Sequence, residues 1–158
     1  MNFPGVHYLD TNAVIRLLLY PDVLESLPQT SVLLDAYVKE NQCFNVFDVC
    51  LVEALSVVKR RYKKSKAQIL NRLRGRISHT WRIENVDMVR LFPEALSYAE
   101  KFNIDVVDAL QVAALKQKSI YCLLVTGDNA LYKAAVANNV RSWNFIKEER
   151  PPLPLACD

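Results

Sequence analysis

The segment Tyr121-Cys122-Leu123-Leu124-Val125-Thr126 constrains the fold more than any other part of the chain. Its apolar residues are consecutive rather than alternating, so as a strand it must be buried on both faces. A strand of that kind belongs in a parallel sheet covered by helices on both sides. It ends at Gly127-Asp128-Asn129, where a helical pattern from Ala130 to Ala137 begins.

The rest of the chain repeats this alternation. Val6 to Leu9 reads as a short strand, stopped by Asp10-Thr11-Asn12 before a helical apolar run from Ala13 to Leu19, with Asn12 as its N-cap. A helix is expected over about Ser31 to Glu40, burying Val32, Leu33, Ala36 and Tyr37. Cys43 to Phe47 reads as a strand, and Asp48 as the cap of a helix from Val49 to Tyr62. A basic helix from about Lys66 to Arg76, a strand from Arg82 to Val86 and a helix from Val89 to Phe102 follow. Val106 to Gln117 is a further helix and Val140 to Phe145 a last strand, while Pro151-Pro152-Leu153-Pro154 suits no regular structure. Strands alternating with helices predict an α/β fold around a mainly parallel sheet. Its 158 residues suit one domain, over 1–147, with a proline-rich tail at 148–158.

In such sheets ligands bind beyond the carboxyl ends of the strands. Asp10 ends the first strand and Asp128 lies just past the Tyr121 strand. Each acid also has a plain structural explanation. Asp10 could be a turn residue, Asp128 could cap a helix, and Asp105 and Asp108 have capping-box spacing. Glu53 could lie on a solvated stripe with Ser56, Arg60 and Lys63. Two features favour a shared site. Glu53 interrupts a run from Val49 to Val58 in which Ser56 is the one other polar residue, and Asp108 is set between Val106-Val107 and Ala109-Leu110. A parallel sheet would bring Asp10 and Asp128 to one edge with the starts of the helices bearing Glu53 and Asp108. Two carboxylates 4 Å apart repel by about 4 kcal/mol at an effective dielectric of 20. Hard divalent cations with oxygen ligands, Mg²⁺ or Mn²⁺, would relieve that repulsion. Metals held this way orient and activate a water for attack on a phosphodiester.

Net charge is +3, but ten of the twenty Lys and Arg fall between Ala54 and Ile83, where there is no acid. That block, Lys59 to Arg82, suggests a polyanion surface, with Arg60, Arg61, Lys63 and Lys64 guiding RNA phosphates and Tyr62 and Trp81 stacking on bases. The alternatives are an ordinary solvated helix and an acidic protein partner. No apolar run approaches the roughly 20 residues needed to cross a bilayer. No secretory signal opens the sequence, and none of Cys43, Cys50, Cys122 and Cys157 forms a C-x-x-C pair, so reduced thiols and a cytoplasmic location are expected.

The segments Leu9-Asp10-Thr11-Asn12, Val52-Glu53-Ala54-Leu55, Val107-Asp108-Ala109-Leu110 and Leu124-Val125-Thr126-Gly127-Asp128 together resemble the four acidic motifs of PIN-domain nucleases. Their order and spread resemble those of the VapC-like toxins, from Tyr8 to about Asn144. The resemblance implies a three-layer α/β/α sandwich and Mg²⁺- or Mn²⁺-dependent cleavage of single-stranded RNA. It implies that Asp10, Glu53 and Asp108 ligate metal and that Asp128 is the fourth acid, with Asn12 and Thr126 in support. Asp105 is an extra acid. A small antitoxin protein and a homodimer are the implied partners. Such a partner could insert an Arg among the carboxylates or lay a helix into a groove near Leu17, Leu18 and Val32.

Other functions fit less well. A haloacid-dehalogenase-type phosphatase needs a second aspartate where this chain has Asn12, and a receiver domain needs paired acids within Met1 to His7. No G-x-G-x-x-G is present for a dinucleotide. The remaining rival is a non-catalytic RNA-binding or scaffold protein of the same fold.

Overall fold

Five parallel strands form one sheet in the computed structural model, which describes residues 6–19, 34, 44–62, 66–118 and 121–147. The strands are β1 (His7–Leu9), β2 (Phe44–Phe47), β3 (Trp81–Glu84), β4 (Leu123–Thr126) and β5 (Ser142–Asn144), in the order β3-β2-β1-β4-β5. Six helices are described in full: α1 (Thr11–Leu19), α2 (Asp48–Tyr62), α3 (Lys66–His79), α4 (Met88–Phe102), α5 (Val106–Lys116) and α6 (Asn129–Ala137). Leu34 is helical and buried. The rest of the helix expected over 31–40 lies outside the described residues, as do Cys43, Cys157 and the tail at 148–158.

The chain steps from β1 to β2 to β3, then crosses back to β4 and β5 on the other side of β1. Parallel crossovers are right-handed, so this reversal sends α1, α2 and α3 to one face and α4, α5 and α6 to the other. The packing agrees: α1 lies against α2 and α3, and α5 against α4 and α6. The result is the expected α/β/α sandwich. It also explains the unbroken apolar run of β4. That strand pairs with β1 and β5, and all four of its residues are buried.

Three local devices hold the helices in place. Asp87 caps α4 by accepting from the Arg90 N–H at 3.2 Å, and Asn103 ends it in the left-handed region at φ 51°. Asp48 accepts from Val49 N–H and, at 3.1 Å, from Val86 N–H, which ties the start of α2 to the turn after β3. Arg72 on α3 donates to the Leu18 carbonyl at 2.8 Å, one of the last acceptors of α1 without a partner in its own helix. One charge of the basic block therefore has a structural use.

The core differs from expectation in several places. Trp81 is 2% exposed, in register with Phe44 at the start of β3, and joins the main apolar cluster. It cannot stack on a base. Nothing of the Tyr62 side chain is described. Leu17 and Leu18 are also core residues, because α1 is packed against both the sheet and its neighbouring helices. They line no groove, and Val32 lies outside the described residues. An apolar stripe is exposed instead on α4, where Met88, Phe92 and Leu96 recur at four-residue spacing beside Val89. Cys50 and Cys122 are buried and form no disulfide. Among the described residues no helix is long and apolar enough to cross a membrane.

Gly127 sits between β4 and Asp128 under the wholly buried ring of Phe145. A Cβ there would lie 2.8 Å from Phe145 Cζ and 2.9 Å from Ile146 Cδ1. Overpacking of this kind costs about 1–3 kcal/mol. The Gly127→Ala variant should therefore unfold at a lower urea midpoint with an unchanged slope. An unaltered midpoint would mean that the ring yields freely.

Candidate active site

The order of strands reverses between β1 and β4, and the open end of a parallel sheet at such a reversal is where ligands bind. Asp10 is the first residue after β1 and is only 2% exposed. Its backbone is fixed on both sides. The Asp10 N–H donates to the Val125 carbonyl at 3.0 Å, and the Asp10 carbonyl accepts from Val14 N–H at 2.9 Å. That second bond starts α1, so Asp10 holds the cap position and Asn12 falls inside the first turn. The expectation that Asn12 caps this helix is corrected accordingly. Asn12 is half-buried, and among the described residues no hydrogen bond joins it to the acids.

Neutral donors hold the Asp10 carboxylate. Thr126 Oγ1, at the end of β4, donates to Oδ2 at 2.7 Å, and Gln111 Nε2, on α5, donates to Oδ1 at 2.9 Å. Gln111 Nε2 also reaches Asp108 Oδ1 at 3.4 Å, one helical turn earlier. Glu53 is held by Thr11 Oγ1 at 2.6 Å. Asp128 has two relations. Its Oδ1 caps α6, accepting from Ala130 and Leu131 N–H at 2.7 and 3.0 Å. Its own N–H donates to Thr126 Oγ1 at 2.9 Å, which places it beside Asp10. Asp128 therefore caps α6 and also stands beside Asp10.

The acids sense one another. Burial raises the proton affinity of Asp10, and the charge of Asp128 adds to this against the donors from Gln111, Thr126 and Thr11. Asp108 is pushed up to about 8, first by burial and then by Asp10, Asp128, Glu53 and Asp105. All five predicted acids thus contribute to one electrostatic cluster. Asp105 is exposed at the start of α5, and its side chain makes no capping bond, so capping does not account for it.

Sequence reasoning missed three members: Thr11, Gln111 and Cys50. The Cys50 thiol is pushed well up by burial and by Asp10, Asp108 and Glu53, which places it against the cluster as a neutral thiol. Gln111 carried a visible signal. It interrupts the apolar run Ala109 to Leu115 one turn after Asp108, the same kind of interruption that marked Glu53. Arg60 and Arg61 do not join the cluster. They are exposed towards the far end of α2, and Arg60 Nε bonds the Ser56 carbonyl at 3.3 Å. Seven residues past Glu53, Arg60 returns to the same helix face about 10 Å along the axis. Lys63 and Lys64 lie outside the described residues.

The donor chemistry suits a hard divalent cation. All the acids offer oxygen, and Gln111, wholly buried, has an Oε1 with no hydrogen-bond partner. Among the described residues, however, no three acids, thiols or imidazoles stand close enough together to hold an ion as a closed cage. Mg²⁺ itself keeps several waters and commonly takes one or two carboxylates, which an open set can supply.

The solved structure of FitAcB from Neisseria gonorrhoeae has the same fold, with a TM-score of 0.57 and 21% sequence identity. The likeness covers 90% of this chain and 100% of that one. It is a likeness of fold. No family model matches the sequence, and no curated protein matches it.

A carboxyl whose proton affinity rises on folding stabilises the folded chain most at low pH. For Asp108 that contribution is complete below the unfolded value near 3.9 and is lost as pH rises through about 8. With chelator present, wild type should therefore lose stability relative to Asp108→Asn between about pH 4 and 8. Above pH 8 the variant should be the more stable. Urea titrations across this range measure the gap, and a gap that does not change with pH would contradict the clustered geometry.

Proposed function

We propose that this chain is a Mg²⁺- or Mn²⁺-dependent endoribonuclease of the PIN-domain type, acting on single-stranded RNA in the cytoplasm as the toxin of a toxin–antitoxin pair. The observation that carries the reading is the gathering of acids from four elements at the reversal of the sheet, with Asp108 raised to about 8 by burial and then by its acidic neighbours. The ordered set of motifs around Asp10, Glu53, Asp108 and Asp128 supports it, as does the α/β/α architecture.

Asp10, Glu53 and Asp108 are the residues to hold the metal, with Asp128 completing the set through its second oxygen. A bound divalent ion would supply charge neutralisation and an activated water for phosphodiester hydrolysis. The chain's own groups orient the donors. Thr126 and Gln111 fix the two oxygens of Asp10, and Thr11 fixes Glu53. Arg60 and Arg61 would attract the RNA backbone along α2, on electrostatic grounds that do not select sequence. The partners are a small antitoxin protein that restrains the enzyme and a second copy of the chain. The stripe of Met88, Val89, Phe92 and Leu96 offers apolar surface for such assembly, with Val89 92% exposed.

The open spacing of the acids favours one rival, an RNA-binding scaffold without catalysis. A single experiment separates the two readings. Purified wild type should cut a single-stranded RNA only when Mg²⁺ or Mn²⁺ is added, and the added ion should raise its melting temperature. Asp10→Asn should lose at least about 100-fold in cleavage rate while remaining folded. Undiminished cleavage by this variant, or no effect of either ion on wild type, would reject the nuclease.

A further inference from the structure

Among the described residues, Gln111 is the one wholly buried carboxamide that touches the acids. Its position in an otherwise apolar helical stretch has no explanation in packing, since an aliphatic side chain would fill the same space without bringing polar atoms into the core. One of those atoms is satisfied at the site itself. Nε2 bonds Asp10 Oδ1 at 2.9 Å and approaches Asp108 Oδ1 at 3.4 Å. The other, Oε1, is buried without a partner, a costly condition in a folded protein. A buried amide that bridges two acids at such a cost, from an element that carries only one of them, is not there for the stability of the core.

We propose that Gln111 is a positioning residue, whose carboxamide spans Asp10 and Asp108 and sets the separation of the two carboxylates that a divalent ion would share. The geometry is well suited to this. Asp10 is fixed to the sheet by its backbone bond to Val125, whereas Asp108 rides on α5. Nothing else described joins these two side chains by a hydrogen bond. An NH₂ group carries two protons, so one nitrogen can donate to both acids at once. It offers them a neutral donor rather than a competing cation, so a metal need not displace a Lys or Arg. Partners of this kind behind metal ligands commonly change metal affinity or activity by 10- to 100-fold when removed.

The inference rests on the nuclease reading, and the experiment tells the two apart. Gln111→Met keeps the length and shape of the side chain and removes both polar atoms. Titration calorimetry with Mn²⁺ should give a Kd at least about 10-fold weaker than wild type. On a single-stranded RNA oligonucleotide, kcat should fall while KM stays at the wild-type value. The melting temperature in chelator should change little or fall modestly, since the loss of the unsatisfied Oε1 offsets the loss of a donor to Asp10. A purely structural role would give the same change in melting temperature with Mn²⁺ affinity and kcat at their wild-type values. Gln111→Glu provides a second arm that does not depend on how well the first variant folds. It replaces the donor with another carboxylate, so its melting temperature in chelator should fall and its rise on adding Mn²⁺ should exceed that of wild type. Wild-type Kd and kcat in Gln111→Met, or an equal Mn²⁺-induced rise in Gln111→Glu, would overturn the role of Gln111 alone. If wild type neither binds Mn²⁺ nor cuts RNA, the nuclease reading falls and the role of Gln111 falls with it.

Discussion

Asp10 is a carboxyl group held almost out of water at the end of the central strand, and the surrounding structure is organised by that constraint. Burying a charge without partners is prohibitively costly, so the group must be surrounded by donors or keep its proton. Here it has Thr126 on one oxygen and Gln111 on the other, brought by the next strand and by a helix more than a hundred positions along the chain. These contacts require the reversal of strand order that sets β4 beside β1. They also require Gly127 to be bare, so that the chain can turn under Phe145 and present Asp128 next to Thr126.

The same arrangement opposes stability. Glu53 and Asp128 add negative charge around a site that is already desolvated, and Asp108, itself largely buried, holds its proton to about 8. A protein selected only to fold would place apolar residues there. The cost is carried by the core on either side: β4 buried on both faces, Trp143 and Phe145 beneath the turn, and Leu17 and Leu18 sealing α1. The apolar core and the acidic cluster meet at the carboxyl ends of β1 and β4, where the strand order reverses.

Much of this was legible in the sequence, and the reasons are physical. The order of elements followed from apolar periodicity, because a strand buried on both faces cannot hide its composition. The acids were legible because Glu53 and Asp108 interrupt apolar runs and because Asp10 and Asp128 stand at strand ends. Contacts between distant elements were not. Thr11 and Gln111 act through partners 42 and 101 positions away, which no local pattern reveals. The N-cap was misplaced at Asn12 because Asp10 takes the cap position while its side chain is engaged elsewhere. Trp81 lay in a basic stretch, so its charged neighbours suggested a surface residue, whereas its register with Phe44 puts it in the core.

The central claim is that these carboxylates form a divalent-cation site, and diffraction can locate such an ion directly. Crystals grown with MnCl₂ and measured near the manganese absorption edge would give an anomalous difference map of all bound metal. The expected result is a strong peak about 2.1 Å from carboxylate oxygens of both Asp10 and Asp108. A map with no peak between them, or with manganese bound only elsewhere on the protein, would contradict the account.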